Sequence, residues 1–462
     1  MLNLKKELNP KKILILGLGK EGVDTLMFLR KLFPGKILGV GDKDKNSKFK
    51  IKNLKLLRKV TWYLGRDYLK PLEQYDLIIK SPGIPVNNQA LKQAFREGKI
   101  TSQTELFLRH CPGKIIGITG TKGKGTTSSL IYKILKQGGK KVYLVGNIGK
   151  PALSLLFKAK PKDIFVYEMS SHQLMNLRTS PNIAVFLNIY PAHLDYYRDF
   201  QEYFQAKKNI FLHQKSNDVL IYNKDDQLLK EAVKKAKSKK ISFSLKSQSG
   251  DYRLRQDLVV YHGKKMFHTA NCRLKGEFNL VNTMAAIIVG RILNVPLAKI
   301  TNAVKNFKGM PYRLEFVGKY SGVDFYNDSL ATIPQATIAA IEALGDRIGA
   351  IILGGFESGL DYSKLARVIA QRKIKNLILF PTTGGKIAKA VKKYFRFNKS
   401  KKAINYFFVN DMKEAIKLSL ENTEKGDICL LSPASPSFGV FKNYKERGDL
   451  FKKYIKVYGK KN

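Results

Sequence analysis

The sequence predicts an α/β protein of three domains, each a mostly parallel sheet with helices. Short β-rich apolar runs alternate with helical patterns, as they do when helices cover parallel sheets. The chain has 462 residues, more than one ordinary domain holds. Two of the apolar runs enter glycine-rich turns that open helices, at residues 17–22 and 117–127, the arrangement by which α/β sheets hold phosphates.

The first segment, residues 1–112, opens on a strand at 13–16, turns at its glycines and enters a helix at about Gly22. A strand at 37–40 ends at Gly41-Asp42. Another at 77–79 leads into Ser81-Pro82-Gly83-Ile84-Pro85, a strand–turn pattern at the end of a doubly wound sheet. The second segment, residues 113–308, begins with a strand at 115–118, a glycine-rich loop and a helix with Leu130, Ile131, Ile134 and Leu135 on one face. Strands at 142–145, 164–167 and 183–187 follow. The third segment, residues 309–462, carries strands at 323–326, 350–353, 376–380 and 428–431. A helix containing Val368 and Ile369 lies between the second and third of these.

Composition narrows the function classes. Hydrophobic residues make up 44% of the chain, enough for several cores. No apolar run reaches the roughly 18 residues that span a bilayer. The opening MLNLKKELNPKKILILGLG has one short apolar run ending in glycines, which reads as a buried strand rather than a signal peptide. Cys111, Cys272 and Cys429 are far apart and form no metal-type pair, the usage expected of reduced thiols in a cytoplasmic protein. Lys and Arg number 84 against 36 Asp and Glu, a net charge of +48. A nucleic-acid binder has such a charge. Here the lysines spread along the whole chain without a basic tail, and Ile, Asn, Tyr and Phe are abundant too, as an AT-rich genome produces. The compositional reading is preferred, and a positive field still suits an anionic substrate.

The strongest chemical signal is Gly117-Ile118-Thr119-Gly120-Thr121-Lys122-Gly123-Lys124-Gly125-Thr126-Thr127 between a strand and a helix. There, backbone N–H groups wrap phosphates and Lys124 reaches the β/γ-phosphates. The usual loop places Ser or Thr directly after the lysine to bind Mg²⁺; Gly125 stands there, and Thr126 is the next hydroxyl. Glu168 ends the strand at 164–167, at the edge that faces the ligand crevice of a parallel sheet, and is a suitable Mg²⁺ ligand. Lys207 recurs with Phe200, Tyr203, Phe204 and Phe211 at helical spacing, so it falls on the apolar face of its helix. Burial lowers an ammonium pKa and makes a neutral amine accessible, unless the side chain reaches out to solvent.

These motifs and their order resemble the Mur ligase family, over nearly the whole chain, and within it the glutamate-adding branch. The resemblance implies a Rossmann-like UDP-substrate domain over 1–112, a P-loop-type ATPase domain over 113–308 and a Rossmann-like amino-acid-binding domain over 309–462. It implies ATP, two Mg²⁺ ions, UDP-N-acetylmuramoyl-L-alanine and glutamate as ligands, and an acyl-phosphate route.

Residue by residue, the resemblance assigns Gly120, Thr121, Lys122, Gly123, Lys124, Gly125, Thr126 and Thr127 to ATP. Asn279 and Asn282, in a segment like G-x-H-N-x-x-N, are implied to meet adenine, with Phe278 where the family has histidine. Arg313, in Pro311-Tyr312-Arg313-Leu314-Glu315, and Asp328 are implied nucleotide contacts. The glycine turn with Gly19, Lys20, Glu21 and Asp42, together with Ser81 and Gly83, is implied to bind UDP, and Asn147 to meet the muramoyl region. His193, in the N-x-x-x-x-H-x-D segment from Asn188 to Asp195, is implied to hold the second Mg²⁺ near the acyl carboxylate. Lys207, in Y-x-x-A-K, is implied to carry a carbamate as an oxygen ligand. The metal set is thus Thr126, Glu168, His193 and Lys207, and the catalytic set Lys124, Lys207, His193 and Arg313. The segment from Ser432 through Phe438 to Tyr444 and Arg447-Gly448 resembles the glutamate pocket, which assigns Thr332, Ser437 and Tyr444 to the amino acid. Two lysines usual in that pocket are replaced, by Leu330 and Ser358, a departure shared with relatives that add L-glutamate.

A folylpolyglutamate ligase would share the phosphate loop but not the first domain. A nicotinamide dehydrogenase would use the turn at 17–22, with Asp42 on a ribose, and leave the second loop without a role. Neither a nucleic-acid nor a membrane partner is expected, and the chain is expected to be a cytoplasmic monomer.

Overall fold

The computed structural model describes every residue except 52, 86–88, 194–195, 248, 275, 398–402 and 461–462. The chain divides into two compact units, Met1–Phe307 and Lys308–Asn462.

The first unit holds two sheets. Strands β1 Ile13–Leu16, β2 Leu38–Asp42, β3 Val60–Leu64, β4 Leu77–Lys80 and β5 Ile100–Thr101 form an all-parallel sheet in the order β3-β2-β1-β4-β5. β1 and β4 are buried at every position because helices cover both faces, which is why they read as unbroken apolar runs. The second strand differs from its sequence-based bounds by a slip at each end. Ile37 is exposed and outside it, and Asp42 is inside it.

The second sheet contains β6 Lys114–Thr119, β7 Val142–Gly146, β8 Ile164–Glu168, β9 Ile183–Phe186, β10 Val219–Asn223, β11 Lys239–Ser244, β12 Tyr252–Arg255, β13 Leu258–Tyr261 and β14 Lys264–His268. Their order is β14-β13-β12-β11-β10-β9-β6-β8-β7. The ladder is parallel from β7 to β12 and antiparallel from β12 to β14. β6 sits between β8 and β9, so the chain leaves it to one side and later returns on the other. The carboxyl end of β6 is therefore a switch point, where α/β sheets open a crevice for ligands.

The two sheets share one core. The helix Gln103–His110 presents Phe107 to both Phe165 and Tyr167 of β8, with ring centroids 5.2 and 5.9 Å apart. Thr104 Oγ1 and the Tyr167 hydroxyl are hydrogen-bonded at 3.1 Å.

The second unit has one six-stranded sheet: β15 Glu315–Tyr320, β16 Val323–Asn327, β17 Ile348–Gly354, β18 Asn376–Phe380, β19 Asn405–Phe408 and β20 Ile428–Leu431, in the order β15-β16-β20-β17-β18-β19. Only the β15–β16 pair is antiparallel. No helix among the described residues is long and apolar enough to cross a membrane. All three cysteines are free thiols.

Candidate active site

The glycine loop leaves β6 at the switch point and enters the helix Lys124–Gln137 through Gly123, whose φ of +85° favours glycine. A Cβ there would stand 2.2 Å from Asn282 Oδ1. The segment after β9 clamps the loop. Asn188 Oδ1 accepts from Lys122 N at 2.9 Å, Asn188 Nδ2 donates to Lys122 O at 3.2 Å, and Asn188 O accepts from Thr121 N at 3.0 Å. Lys124 folds back over the loop and donates to Gly120 O and Thr121 O at 2.9 and 3.0 Å.

Beside this loop lies Lys207, on the helix Phe200–Leu212, only 1% exposed. The amine does not reach out to solvent. It donates to Gly120 O at 2.9 Å and Thr119 Oγ1 at 3.2 Å. Burial, reinforced by the Lys124 charge and opposed by Glu168, pulls its pKa well below the usual lysine range. Glu168 ends β8, paired in register with Ile118 of β6. Its Oε1 accepts from Asn147 Nδ2 at 3.0 Å, and its buried Oε2 has no hydrogen-bond partner. His193 sits at φ +56° with its ring against His172 and Tyr203, at centroid distances of 5.1 and 6.1 Å. Asp195, which closes the histidine motif, lies outside the described residues.

A cavity of about 640 Å³ adjoins the loop, lined by Gly123, Tyr190, Asp226, Leu228, Phe278 and Asn282 among others. Tyr190 and Phe278, 53% and 52% exposed, give the cavity two aromatic walls. Asn282 is buried and turned to the loop: its Oδ1 accepts from Thr127 Oγ1 at 3.1 Å. It thereby ties Thr127 to the helix Glu277–Ile292 while also lining the cavity.

On the first sheet, Gly17 has φ +92° and Ser81 Oγ donates to its carbonyl at 2.8 Å. Asp42 organises the same turn, taking Leu18 N at 2.5 Å and Asp44 N at 2.8 Å. Around Gly19 and Gly83 there is open space, and Lys20 is exposed. Glu21 departs from its expected place: it points inward, accepting from Gln173 Nε2 at 2.6 Å, and burial raises its carboxyl to about 6. Lys80, its electrostatic counterpart, is also buried, which lowers its amine to about 8, and it donates to Ile84 O at 2.7 Å.

In the second unit the assigned residues gather at the carboxyl ends of β16, β17 and β20. Asp328 Oδ2 accepts from Ser432 Oγ at 2.8 Å and its Oδ1 from Leu314 N at 3.1 Å. Arg447 is fully buried and donates to Ser329 O at 2.9 Å, Ser329 Oγ at 3.0 Å and Ser435 O at 3.2 Å. Ser329 Oγ in turn donates to Tyr444 O at 2.7 Å. Ser437 is buried, Thr332 and Tyr444 are half-buried, and Arg313 is exposed.

Three family models match the chain in this order: the Mur ligase MurD-like N-terminal domain over residues 11–101, the Mur ligase middle domain over 118–290, and the Mur ligase glutamate ligase domain over 312–435. The UDP-N-acetylmuramoylalanine–D-glutamate ligase of Clostridium tetani is 36% identical over 456 residues, 98% of each chain. The chain belongs to the Mur ligase family. Solved structures of Thermotoga maritima agree in fold. UDP-N-acetylmuramate-alanine ligase MurC has a TM-score of 0.56 at 17% identity, covering 97% of this chain and 99% of that one. MurF ligase in complex with ADP has a TM-score of 0.55 at 19% identity, covering 98% and 97%.

The donors of this Mur ligase fit a hard cation. The orphaned Glu168 Oε2 is an anionic oxygen beside a phosphate-type loop, and Mg²⁺ takes one or two carboxylates and completes its shell with water and phosphate oxygens. Among the described residues no group of three or more His, Cys, Asp or Glu could hold a metal ion by itself. Two residues that sequence reasoning passed over are Asn188 and Gln173. Asn188 stands in the histidine motif and signals itself only through that motif. Gln173 closes a capping box with Ser170, and its sequence signal is the Ser-x-x-Gln spacing.

Two predictions arise here. Gly123→Ala must strain φ and push on Asn282, so ATP-dependent turnover of this Mur ligase should fall by about 10-fold or more, through a loss on the order of 1–3 kcal/mol. An ATP titration checks it, and an unchanged KM for ATP and unchanged kcat would remove the loop geometry from the account. Asp328 carries the second. Burial raises its carboxyl to about 7, so folding favours its neutral form. That contribution is complete below the unfolded value near 3.8, is lost as pH rises towards 7, and leaves a constant cost above. Asp328→Asn should therefore gain on the wild type by about 2 kcal/mol between pH 5 and pH 8, in urea unfolding of the second unit. A difference that does not change with pH would contradict it.

Proposed function

We propose that this chain joins D-glutamate to the L-alanine carboxylate of UDP-N-acetylmuramoyl-L-alanine at the expense of ATP, as a cytoplasmic step of peptidoglycan precursor synthesis. The observation that carries the reading is the buried Lys207 amine, 2.9 Å from the phosphate-loop carbonyl of Gly120 and within the field of Glu168. The Clostridium tetani relative, a UDP-N-acetylmuramoylalanine–D-glutamate ligase, supplies the substrates of the reading.

On this reading, residues 1–112 bind the UDP substrate, 113–308 the ATP and 309–462 the amino acid. The terminal carboxylate attacks the γ-phosphate of ATP, forming an acyl phosphate and ADP. The glutamate amine then attacks the acyl carbon, and phosphate leaves. Backbone N–H groups of residues 120–127 hold the phosphates, and Lys124 leaves its loop carbonyls to offset their charge. Mg²⁺, when bound, neutralises phosphate oxygens and orients them. Glu168 would hold it, with Asn147 fixing the carboxylate's orientation. Lys207, whose ammonium form burial disfavours, would add its amine nitrogen to CO₂ and release one proton to solvent, and the resulting carbamate would serve with His193 as an oxygen and nitrogen ligand pair for Mg²⁺. Tyr190 and Phe278 pack on the base. Arg313 and Asp328 are assigned to the nucleotide, and Thr332, Ser437 and Tyr444 to glutamate.

Phosphate release measured with UDP-N-acetylmuramoyl-L-alanine, ATP and Mg²⁺ tests this, with D- and L-glutamate supplied separately. Release with D-glutamate supports the reading. Release with L-glutamate alone makes Leu330 and Ser358 marks of a switched stereochemistry, and release with neither overturns it.

A further inference from the structure

The amino-acid pocket lacks two expected lysines, at Leu330 and Ser358, yet glutamate's side chain is an anion. A cation must come from elsewhere. Arg447 is not available, because its N–H groups are engaged by Ser329 and Ser435 in the interior. The helix Thr383–Phe397 supplies another candidate. Its first residue, buried Thr383, touches the segment that leads to Ser437: Thr383 Oγ1 lies 2.8 Å from Ser435 Oγ and donates to Gly355 O at 3.1 Å. Lys386 is three residues on, hence on the same helix face. The loop after β17 comes to meet it. Glu357, next to Ser358, forms an ion pair with Lys386 Nζ at 2.6 Å. Glu357 Oε2 is covered, while its Oε1 takes Gly359 N at 2.8 Å. The same loop is tied to the far wall of the pocket, with Phe356 N donating to Pro436 O at 2.8 Å, one residue before Ser437. Phe356 and Phe438, both exposed, pack edge to face beside it at 6.2 Å.

We propose that Lys386 is the cation that binds the side-chain carboxylate of the incoming glutamate, and that Glu357 occupies it until the amino acid arrives. The inference rests on the glutamate-adding reading. Glu357 presents to Lys386 the same group that glutamate would bring, from the same loop that lost its lysine. Binding exchanges one carboxylate for another, so Glu357 weakens glutamate affinity and Lys386 supplies it.

The two halves of the ion pair therefore have opposite effects, which a purely structural pair would not show. The test is the KM for glutamate in phosphate release, with the other substrates saturating. Lys386→Gln is expected to raise it by about 10- to 100-fold, the worth of a charge-assisted hydrogen bond, with little change in kcat or in the KM for ATP. Glu357→Gln is expected to lower it by about 2- to 5-fold, the range of a surface ion pair. Ser358→Lys in the Lys386→Gln background is expected to recover part of the loss. Equal shifts of the same sign in the two single variants, or no shift with Lys386→Gln, overturn the proposal while leaving the ligase reading intact. A wild type inert towards either glutamate isomer overturns both.

Discussion

Lys207→Met should lower ligase turnover by about 10²- to 10³-fold or more, while the protein stays as stable as the wild type or becomes more stable by about 1–2 kcal/mol. The combination is unusual and follows from where the amine sits. Lys207 is buried on the apolar face of its helix among Tyr203, Phe204 and Phe211. Burial opposes its charged form, so a lysine there costs folding free energy that a methionine of similar length would not. Removing the amine leaves no polar atom stranded. Gly120 O keeps its bond from Lys124 Nζ, and Thr119 Oγ1 still donates to Met169 O at 2.9 Å. What disappears is the anionic oxygen ligand that a carbamate on Lys207 would offer. Thermal unfolding together with phosphate release reads both effects. Retained turnover would mean that Lys207 has no part in the chemistry, and a collapse in stability would mean that its role is structural.

Arg447→Met has the opposite signature. It should destabilise the second unit by about 2–5 kcal/mol, because two buried carbonyls, Ser329 O and Ser435 O, lose their donors. These carbonyls join the ends of β16 and β20 to the helix Tyr444–Tyr458, so the pocket proposed for glutamate should loosen with them. Burial pushes the guanidinium pKa down, yet Arg is so weak an acid that it stays charged. Hydrogen exchange is the suitable probe: amides of β16 and β20 should exchange faster in the variant. Trp62, the only tryptophan, lies in β3 of the first unit, so its fluorescence should not change. Unchanged exchange in β16 and β20 would show that Arg447 does not hold the pocket together.

The strands that the sequence made visible are those buried on both faces. β1, β8, β18 and β20 are apolar at nearly every position and end in turn residues, so their limits could be read closely. β14 and β19 leave one side to solvent and carry Lys264, Lys265 and Asn405, and β5 is two residues long; none of these has a pattern distinct from a loop. Within the candidate site, the glycine loop and the burial of Lys207 were legible because each is a local pattern, a glycine spacing or a helical period. The inward turn of Glu21 was not, since it depends on Gln173, which is 152 residues away in sequence. Asn282 appears in the sequence as a ligand-type asparagine, and its second contact, the bond from Thr127 Oγ1, comes from a residue 155 positions away and could not be read there. The role inferred for Lys386 has the same origin. Nothing near it in the chain marks it, and it gains its place from β17 and β20, which pair beside each other.

The central claim, ATP-driven activation of a carboxylate followed by attack of glutamate, is tested most directly by isotope transfer. UDP-N-acetylmuramoyl-L-alanine labelled with ¹⁸O in its terminal carboxylate is turned over with ATP, Mg²⁺ and D-glutamate, and the released phosphate is analysed by mass spectrometry. An acyl-phosphate route predicts one ¹⁸O atom in each phosphate released. Phosphate free of ¹⁸O would contradict it.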